Sequence, residues 1–495
     1  MEDVVQKFEY LFNPRSVAFI GASQKPYKWG FLIPLDMLDR GYEGKVYLVN
    51  PREKEIFGLP VHKSIMDVPG EVDLAFVTVP APSVLDVVRQ CARKGVHAIL
   101  IITAGFGEIG DEGKAAQEEA AAVARDAGML MVGPNCAGLL SPRPSRFYAS
   151  MPAVEPKPGS ISVVSQSGNV CGTIMRLCVH HGIGLARLVS SGNEAFLQTE
   201  DFFEYYAADP LTSVVMSYVE GVRDGRRFLD AAKQCSQKKP IVMLKVGKTD
   251  AGTRAAQSHT GALAGSAEVF SGACRQAGVI QVTDVQEMFD VAVAFARQPL
   301  PKGHRVGIIS EGGGWGVLAA DACAEVGLDV VPLPEETLAE LDSFLPSWWS
   351  RSNPADMVGG MVEHALLRTT ETFLKCPVID GVIVLGVGFF TLRGNKFRSS
   401  RFAGMYGLDA LAGMAAQRDI ETAEALLGLI DKYQKPMIIA SDTITSARED
   451  DNKAVFKLAS EGVLVYSEPR RAATVFAQLA RRHEYLTRIE GQAVE

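Results

Sequence analysis

The sequence predicts an α/β protein made of three parallel-sheet domains in series. Three observations carry that reading. Short β-branched runs alternate with helical stretches over the whole 495 residues, the pattern of parallel strands joined by crossover helices. Each run closes on a loop of small or turn-forming residues, where open α/β sheets gather their ligands. Two proline-bearing connectors interrupt the alternation, one over Pro142–Pro158 and one at Pro299-Leu300-Pro301-Lys302-Gly303, and about 150 residues is an ordinary domain size.

The first domain is placed at residues 1–145, with strands at Val17–Ile20, Lys45–Asn50, Leu74–Val79, His97–Thr103 and Met129–Val132. They end in Gly21-Ala22-Ser23, Asn50-Pro51, Pro80-Ala81-Pro82, Ala104-Gly105-Phe106 and Gly133-Pro134-Asn135. Five such loops in series describe one Rossmann-like nucleotide pocket. Pro142, Pro144, Pro152, Pro156 and Pro158 follow, and proline disfavours regular structure, so the boundary is set there. The second domain, residues 155–298, has strands at Ile161–Ser165, Leu185–Ser190, Val214–Val219 and Ile241–Lys245. The third, residues 303–485, has strands at Val306–Ser310, Val382–Leu385, Met437–Ala440 and Val463–Tyr466.

The second and third domains read as an internal repeat. Each opens with an apolar strand, a serine and a glycine-bearing turn: Val163-Val164-Ser165-Gln166-Ser167-Gly168 and Ile308-Ile309-Ser310-Glu311-Gly312-Gly313. An apolar helix follows and closes near a glycine, and the separations Ser165 to Gly182 and Ser310 to Gly327 are equal. The repeat predicts two related flavodoxin-like domains.

Hydrophobic residues make up 47% and charged residues 22%, an ordinary globular balance. A net charge of −8 argues against broad electrostatic adhesion to nucleic acid or membrane, while a local basic pocket for a phosphorylated ligand stays compatible with it. No apolar run approaches the ~18 residues of a membrane span, and the first ten residues have no signal core; a cytoplasmic protein is expected. The eight cysteines are scattered with no CxxC pair, so neither a zinc cluster, nor another metal site, nor a disulfide framework is expected.

Two constellations carry chemistry. The Gly21-Ala22-Ser23 turn feeds a helix, so backbone N–H groups and the helix dipole can meet a phosphate. A full GxGxxG is absent. Folds that bind NAD place an acidic residue at the end of the second strand; here Leu48-Val49-Asn50-Pro51 is followed by Arg52 and Lys54. That loop disfavours a nicotinamide dehydrogenase and suits a ligand with extra phosphate, leaving open CoA or another nucleotide. The second constellation is Gln257-Ser258-His259-Thr260-Gly261-Ala262-Leu263-Ala264-Gly265, which sets a histidine among small residues beyond strand Ile241–Lys245. An imidazole there can attack an activated phosphoryl group, provided its other nitrogen bonds an acceptor. Glu220, at the end of Val214–Val219, is the natural acceptor. The turns at Ser165–Gly168 and Gly312–Gly316 each present a helix N-terminus to phosphate charge. Neither a GxSxG elbow nor a GxxxxGK[ST] loop occurs.

In this order the motifs make the chain resemble the α subunits of ADP-forming acetate–CoA ligases, which are nucleoside-diphosphate-forming acyl-CoA synthetases, and more distantly the succinyl-CoA synthetase α subunit. The resemblance covers nearly the whole chain. It implies a CoA-binding Rossmann-like domain followed by two succinyl-CoA-synthetase-like flavodoxin domains. It assigns CoA or acyl-CoA contacts to Gly21, Ala22, Ser23, Asn50, Pro51, Lys54, Val79, Pro80, Thr103, Ala104, Gly105, Asn135 and Cys136. It makes His259 the phosphorylated residue and Glu220, in Tyr218-Val219-Glu220-Gly221, the acid that orients it. Ser165, Gln166, Ser167 and Gly168 become the phosphate cradle, joined through the repeat by Gly312, Gly313 and Gly314. A small carboxylic acid, phosphate, and ATP or ADP with Mg are the implied reactants. The nucleotide and Mg are assigned to a separate ATP-grasp β subunit in an α2β2 assembly, since the residues after Arg482 are too few for such a domain. Two rival readings are a related ligase for a bulkier aryl or branched acid, and a CoA-binding sensor or scaffold without turnover. The intact Ser258–Gly265 run counts against the second.

Overall fold

The computed structural model describes residues 2–249, 251–252, 267–357, 364–445 and 452–492. The chain divides into two compact units, Met1–Ala292 and Val293–Glu495. Among the described residues, no helix is long and apolar enough to cross a membrane.

The first unit contains two seven-stranded sheets. In the first sheet the strands are β1 (Ser16–Ile20), β2 (Lys45–Val49), β3 (Glu55–Ile56), β4 (Leu59–His62), β5 (Leu74–Val77), β6 (Ala98–Ile101) and β7 (Leu130–Val132). They lie in the order β3-β4-β2-β1-β5-β6-β7, parallel except for the short β3–β4 pair. Alternate residues of its central strands enter opposite cores. Val17, Phe19, Phe76 and Leu100 belong to one, and Ala18, Ile20, Val77 and Ile101 to the other. Burial on both faces explains why these strands read as continuous apolar runs.

The second sheet comprises β8 (Gly138–Ser141), β9 (Phe147–Ser150), β10 (Pro158–Ser165), β11 (Leu185–Ser190), β12 (Val214–Val219), β13 (Ile241–Lys245) and β14 (Ile280–Val282), in the order β14-β13-β12-β10-β11-β8-β9. Residues 138–150 form an antiparallel hairpin that pairs with β11 of this second sheet. An edge hairpin tolerates proline where a central strand does not, and Pro142 and Pro144 fall in its turn. The buried Arg187 of β11 holds that turn by donating to Ser141 Oγ and to the Arg143 carbonyl.

The second unit holds one mainly parallel sheet of β15 (Arg305–Ser310), β16 (Asp329–Val330), β17 (Ala355–Asp356), β18 (Gly381–Leu385), β19 (Met437–Ala440) and β20 (Val465–Tyr466). Its order is β16-β15-β18-β19-β20, with β17 also on β15. The repeat read from the sequence recurs in backbone detail. Gly182 and Gly327 both take positive φ, +64° and +84°, just after the helices Gly168–His180 and Gly313–Val326.

Candidate active site

The carboxyl ends of β1, β2, β5 and β6 open on a cleft of about 1000 Å³. Close backbone approach shapes its floor. Gly21 has φ +97°, and a Cβ there would lie 2.7 Å from Thr78 Oγ1. A Cβ at Gly30 would lie 2.1 Å from the Gly21 carbonyl oxygen. Lys28, Arg52 and Lys63 line the cleft, no carboxylate among the described residues does, and Ile20, Val49, Ile65, Val79 and Val87 supply an apolar wall. Such a site suits an elongated ligand with phosphates at one end and a ring against the aliphatic side.

Of the sequence-assigned contacts, Gly21, Ser23, Asn50, Pro51, Val79, Pro80, Thr103, Ala104, Asn135 and Cys136 line this cleft. Ala22, Lys54 and Gly105 are not in its lining. Ala22 is buried with its N–H on Val49 O, Lys54 is exposed, and the Gly105 N–H donates to Glu108. Asn50 is a brace: its amide donates to Ala22 O at 2.6 Å and accepts the Arg52 N–H at 2.8 Å. Lys28 and Lys63 escaped sequence reading because they sit in loops whose approach to β1 and β2 depends on the fold. The Cys136 thiol is buried, donates to Ile101 O at 3.2 Å and is pushed up to about 12 by burial, so it stays protonated.

A side chamber of about 460 Å³ continues the cleft toward the second sheet. The two share Trp29, Asn135, Cys136 and Met151, and the far wall is Gln166, Ser167, Gly168 and Asn169. The predicted cradle therefore faces the inner end of the CoA-type cleft. Its turn is clasped by Ser165, whose Oγ donates to Ser167 O at 2.9 Å and accepts the Ser167 N–H at 3.1 Å. Ser167 then caps the helix at Val170 N–H, leaving first-turn N–H groups directed at the chamber mouth.

Gln166 ties this turn to Glu220. Its Oε1 accepts the N–H groups of Glu220 at 2.6 Å and Gly221 at 3.1 Å. Its Nε2 donates to Gly221 O and to Glu194 Oε2, both at 2.9 Å. Sequence reading assigned no role to Glu194. It is buried with φ +52° and also accepts from Ser191 and Thr199, each at 2.7 Å. Burial pushes its carboxyl upward while these donors pull it back. The signal was the Ser191-Gly192-Asn193-Glu194 loop, which docks on the first sheet through Asn193 N–H to Pro134 O at 2.9 Å and Ala195 N–H to Gly133 O at 3.1 Å. Glu220 is 8% exposed at the end of β12. Burial, with Glu220 adding to it, pushes Tyr218 up to about 12. Lys245 donates to the Glu220 carbonyl at 2.9 Å. His259 and the Ser258–Gly265 run lie outside the described residues.

In the second unit, Ser310 repeats the clasp: its Oγ donates to Gly312 O at 2.6 Å and accepts the Gly312 N–H at 3.2 Å. Gly312 precedes the helix Gly313–Val326, so the predicted Gly312, Gly313 and Gly314 do form a helix N-terminus. Between Ser310 and Gly312 stands Glu311, pushed up to about 7 by burial and by Asp419, with Arg418 opposing.

A Rossmann-like cleft running into a serine-clasped helix N-terminus defines an acyl-CoA-handling chain of the ligase type. The comparisons agree. A family model described as a CoA binding domain matches residues 15–142, a succinyl-CoA ligase like flavodoxin domain matches 158–295, and a Ligase-CoA domain matches 306–393. The α subunit of Pyrococcus furiosus ADP-forming acetate–CoA ligase I is 42% identical over 475 residues, covering 95% of this chain and 96% of that one. The α subunit of ligase II from the same organism is 41% identical over 379 residues, 77% of this chain and 82% of that one. A solved dinucleotide forming acetyl-coenzyme A synthetase 1 of Ca. Korarchaeum cryptofilum, in complex with phosphate and ADP, matches with TM-score 0.83 at 32% identity, covering 97% and 98% of the two chains. The chain belongs to the family of ADP-forming acetate–CoA ligase α subunits.

Proposed function

We propose that this chain is the acyl-CoA-binding, histidine-phosphorylated subunit of an ADP-forming acyl-CoA ligase. The observation that carries the reading is the continuity of the basic cleft with the Ser165–Gly168 turn, which Gln166 links directly to Glu220. A CoA thioester in the cleft extends its carbonyl carbon into the chamber. Phosphate at the helix N-terminus attacks that carbon; the thioester C–S bond breaks, CoA leaves as the thiol, and an acyl phosphate forms. An imidazole nitrogen of His259 attacks the phosphorus and expels the carboxylate. Glu220 accepts the other ring N–H and fixes its orientation, while helix N–H groups hold the phosphoryl oxygens. The phosphoryl group then passes to ADP.

Relatives named as α subunits support a partner subunit. We assign the nucleotide and Mg to a β subunit of ATP-grasp type, in an α2β2 assembly. Chain and partner together should form ATP from acyl-CoA, phosphate and ADP, and His259→Ala should abolish it while leaving CoA affinity unchanged. ATP formation surviving that substitution would remove the phosphohistidine step; absence of CoA binding would remove the whole reading.

A further inference from the structure

Three loops of the first unit meet at a buried carboxylate that none of the steps above uses. Glu194 is 5% exposed and holds φ +52°, a backbone conformation that glycine or asparagine adopts at less cost. Strain of this kind persists where the surroundings over-determine it. Here they do. Glu194 Oε1 accepts the hydroxyls of Ser191 and Thr199, each at 2.7 Å, and Oε2 accepts the Gln166 amide at 2.9 Å. The loop that carries Glu194 is pressed against the cleft wall. A Cβ at Gly192 would stand 2.4 Å from Pro134 O. Asn135, which lines both cleft and chamber, donates to Asn193 Oδ1 at 3.2 Å. Glu194 therefore joins the cleft loop to the Ser165 turn.

Gln166 carries the connection on to Glu220. A side-chain amide has two acceptor and two donor positions, and Gln166 fills all four. Oε1 takes the N–H groups of Glu220 and Gly221, while Nε2 gives to Gly221 O and to Glu194. Turning the amide over would set N–H against N–H at Glu220 and oxygen against oxygen at Glu194. We propose that Glu194 is a positioning residue for phosphoryl transfer: acting through Gln166, it fixes the backbone of Glu220 and so the carboxylate that meets His259. This rests on the reading that Glu220 orients a phosphorylated His259. Glu194 itself touches no reactant. In metal sites, groups that orient a contacting residue in this way are worth about 10–100-fold in activity or affinity.

The test is steady-state ATP formation by the full chain with its partner, from acetyl-CoA, phosphate and ADP, beside calorimetric titration with CoA. Glu194→Gln can keep the Ser191 and Thr199 bonds at its oxygen, and it sets its own amide N–H against that of Gln166. Its kcat should fall about 10–100-fold, with the KM for acetyl-CoA and the affinity for CoA unchanged. Combining Glu194→Gln with Gln166→Glu exchanges donor and acceptor across the same contact, and should recover kcat at least about threefold over Glu194→Gln alone. A residue that merely fills space would give a double variant slower than either single one. A Glu194→Gln chain within about twofold of wild type, or a double variant no faster than Glu194→Gln, would overturn the assignment. Should Glu194→Gln lose CoA affinity, Ser191→Ala carries the test, since it loosens the grip on Glu194 and leaves the carboxylate in place. A severalfold lower kcat at intact CoA affinity would support the assignment, and an unchanged kcat would overturn it. No ATP from the wild type with its partner, or ATP formation that survives His259→Ala, would sink the underlying phosphohistidine reading instead.

Discussion

The serine-clasped turn occurs twice, and the two copies differ where chemistry needs them to. In both, a serine hydroxyl closes on the residue two places ahead and a helix begins. The following residue is Gln166 in one and Glu311 in the other. Ser165 pairs with Tyr218, two residues before Glu220; Ser310 pairs with Leu385, two residues before the buried Val387. The first copy thus has a neutral amide that spans two carboxylate-bearing loops, one of which holds the acid we propose orients an imidazole. The second keeps the helix N-terminus and has an apolar residue at the acid's place. A repeated scaffold presents a helix N-terminus twice, while among the described residues the acid proposed to orient the ring stands in the first copy.

The comparison breaks most severely at Glu220. Glu220→Gln preserves volume and removes the carboxylate proposed to orient the ring, so ATP formation with the partner should fall on the order of 10³-fold with CoA binding intact. A loss under tenfold would mean that another group orients His259. Next comes Gln166→Glu, which writes the second copy's carboxyl into the first. It replaces the amide that donates to Glu194 at 2.9 Å by an acid, and should destabilise the first unit by about 2–4 kcal/mol, read as a lower urea midpoint at unchanged slope. An unchanged midpoint would mean the clasp carries no strain-sensitive network.

Glu311→Gln is the reverse exchange, and its effect depends on pH. The ordinary Glu311 carboxyl titrates near 4.5 and the folded one at about 7. Between those values the native state holds a proton that the unfolded chain has lost, so stability contributed by this group falls as pH rises through that window. Glu311→Gln should therefore gain thermal midpoint relative to wild type between pH 5 and pH 8; a constant difference would show that Glu311 ionises normally. The smallest effects concern glycines. A Cβ at Gly168 would stand 2.5 Å from Ala137 Cβ, whereas one at Gly314 meets nothing within 4 Å. Gly168→Ala should cost about 1–3 kcal/mol, and Gly314→Ala, inside a helix, should stabilise by about 0.5–1 kcal/mol, both measurable by denaturant unfolding.

What was legible in the sequence follows local rules. Strands buried on both faces gave unbroken apolar runs, so β12, β13 and β19 have the limits read from the residues alone, and the equal Ser-to-Gly spacing marked two helices each followed by a glycine of positive φ. The ten cleft residues were legible because loops at strand ends converge by topology. The hairpin β8–β9 was hidden because its partner, β11, lies beyond the prolines that suggested a boundary, and pairing across a connector leaves no local pattern. Glu194 was hidden for a related reason. Its burial arises only when its loop docks on Gly133 and Pro134, so the Ser191-Gly192-Asn193-Glu194 run marks the loop in sequence but not the bond from its carboxylate to Gln166.

The central claim is a phosphoryl group carried on His259, and the intact mass of the chain tests it most directly. After incubation with acyl-CoA and phosphate in the presence of the partner subunit, the account predicts an acid-labile mass increase of one phosphoryl group, absent from His259→Ala and strongly reduced in Glu220→Gln. An adduct of the same mass persisting in His259→Ala would contradict it.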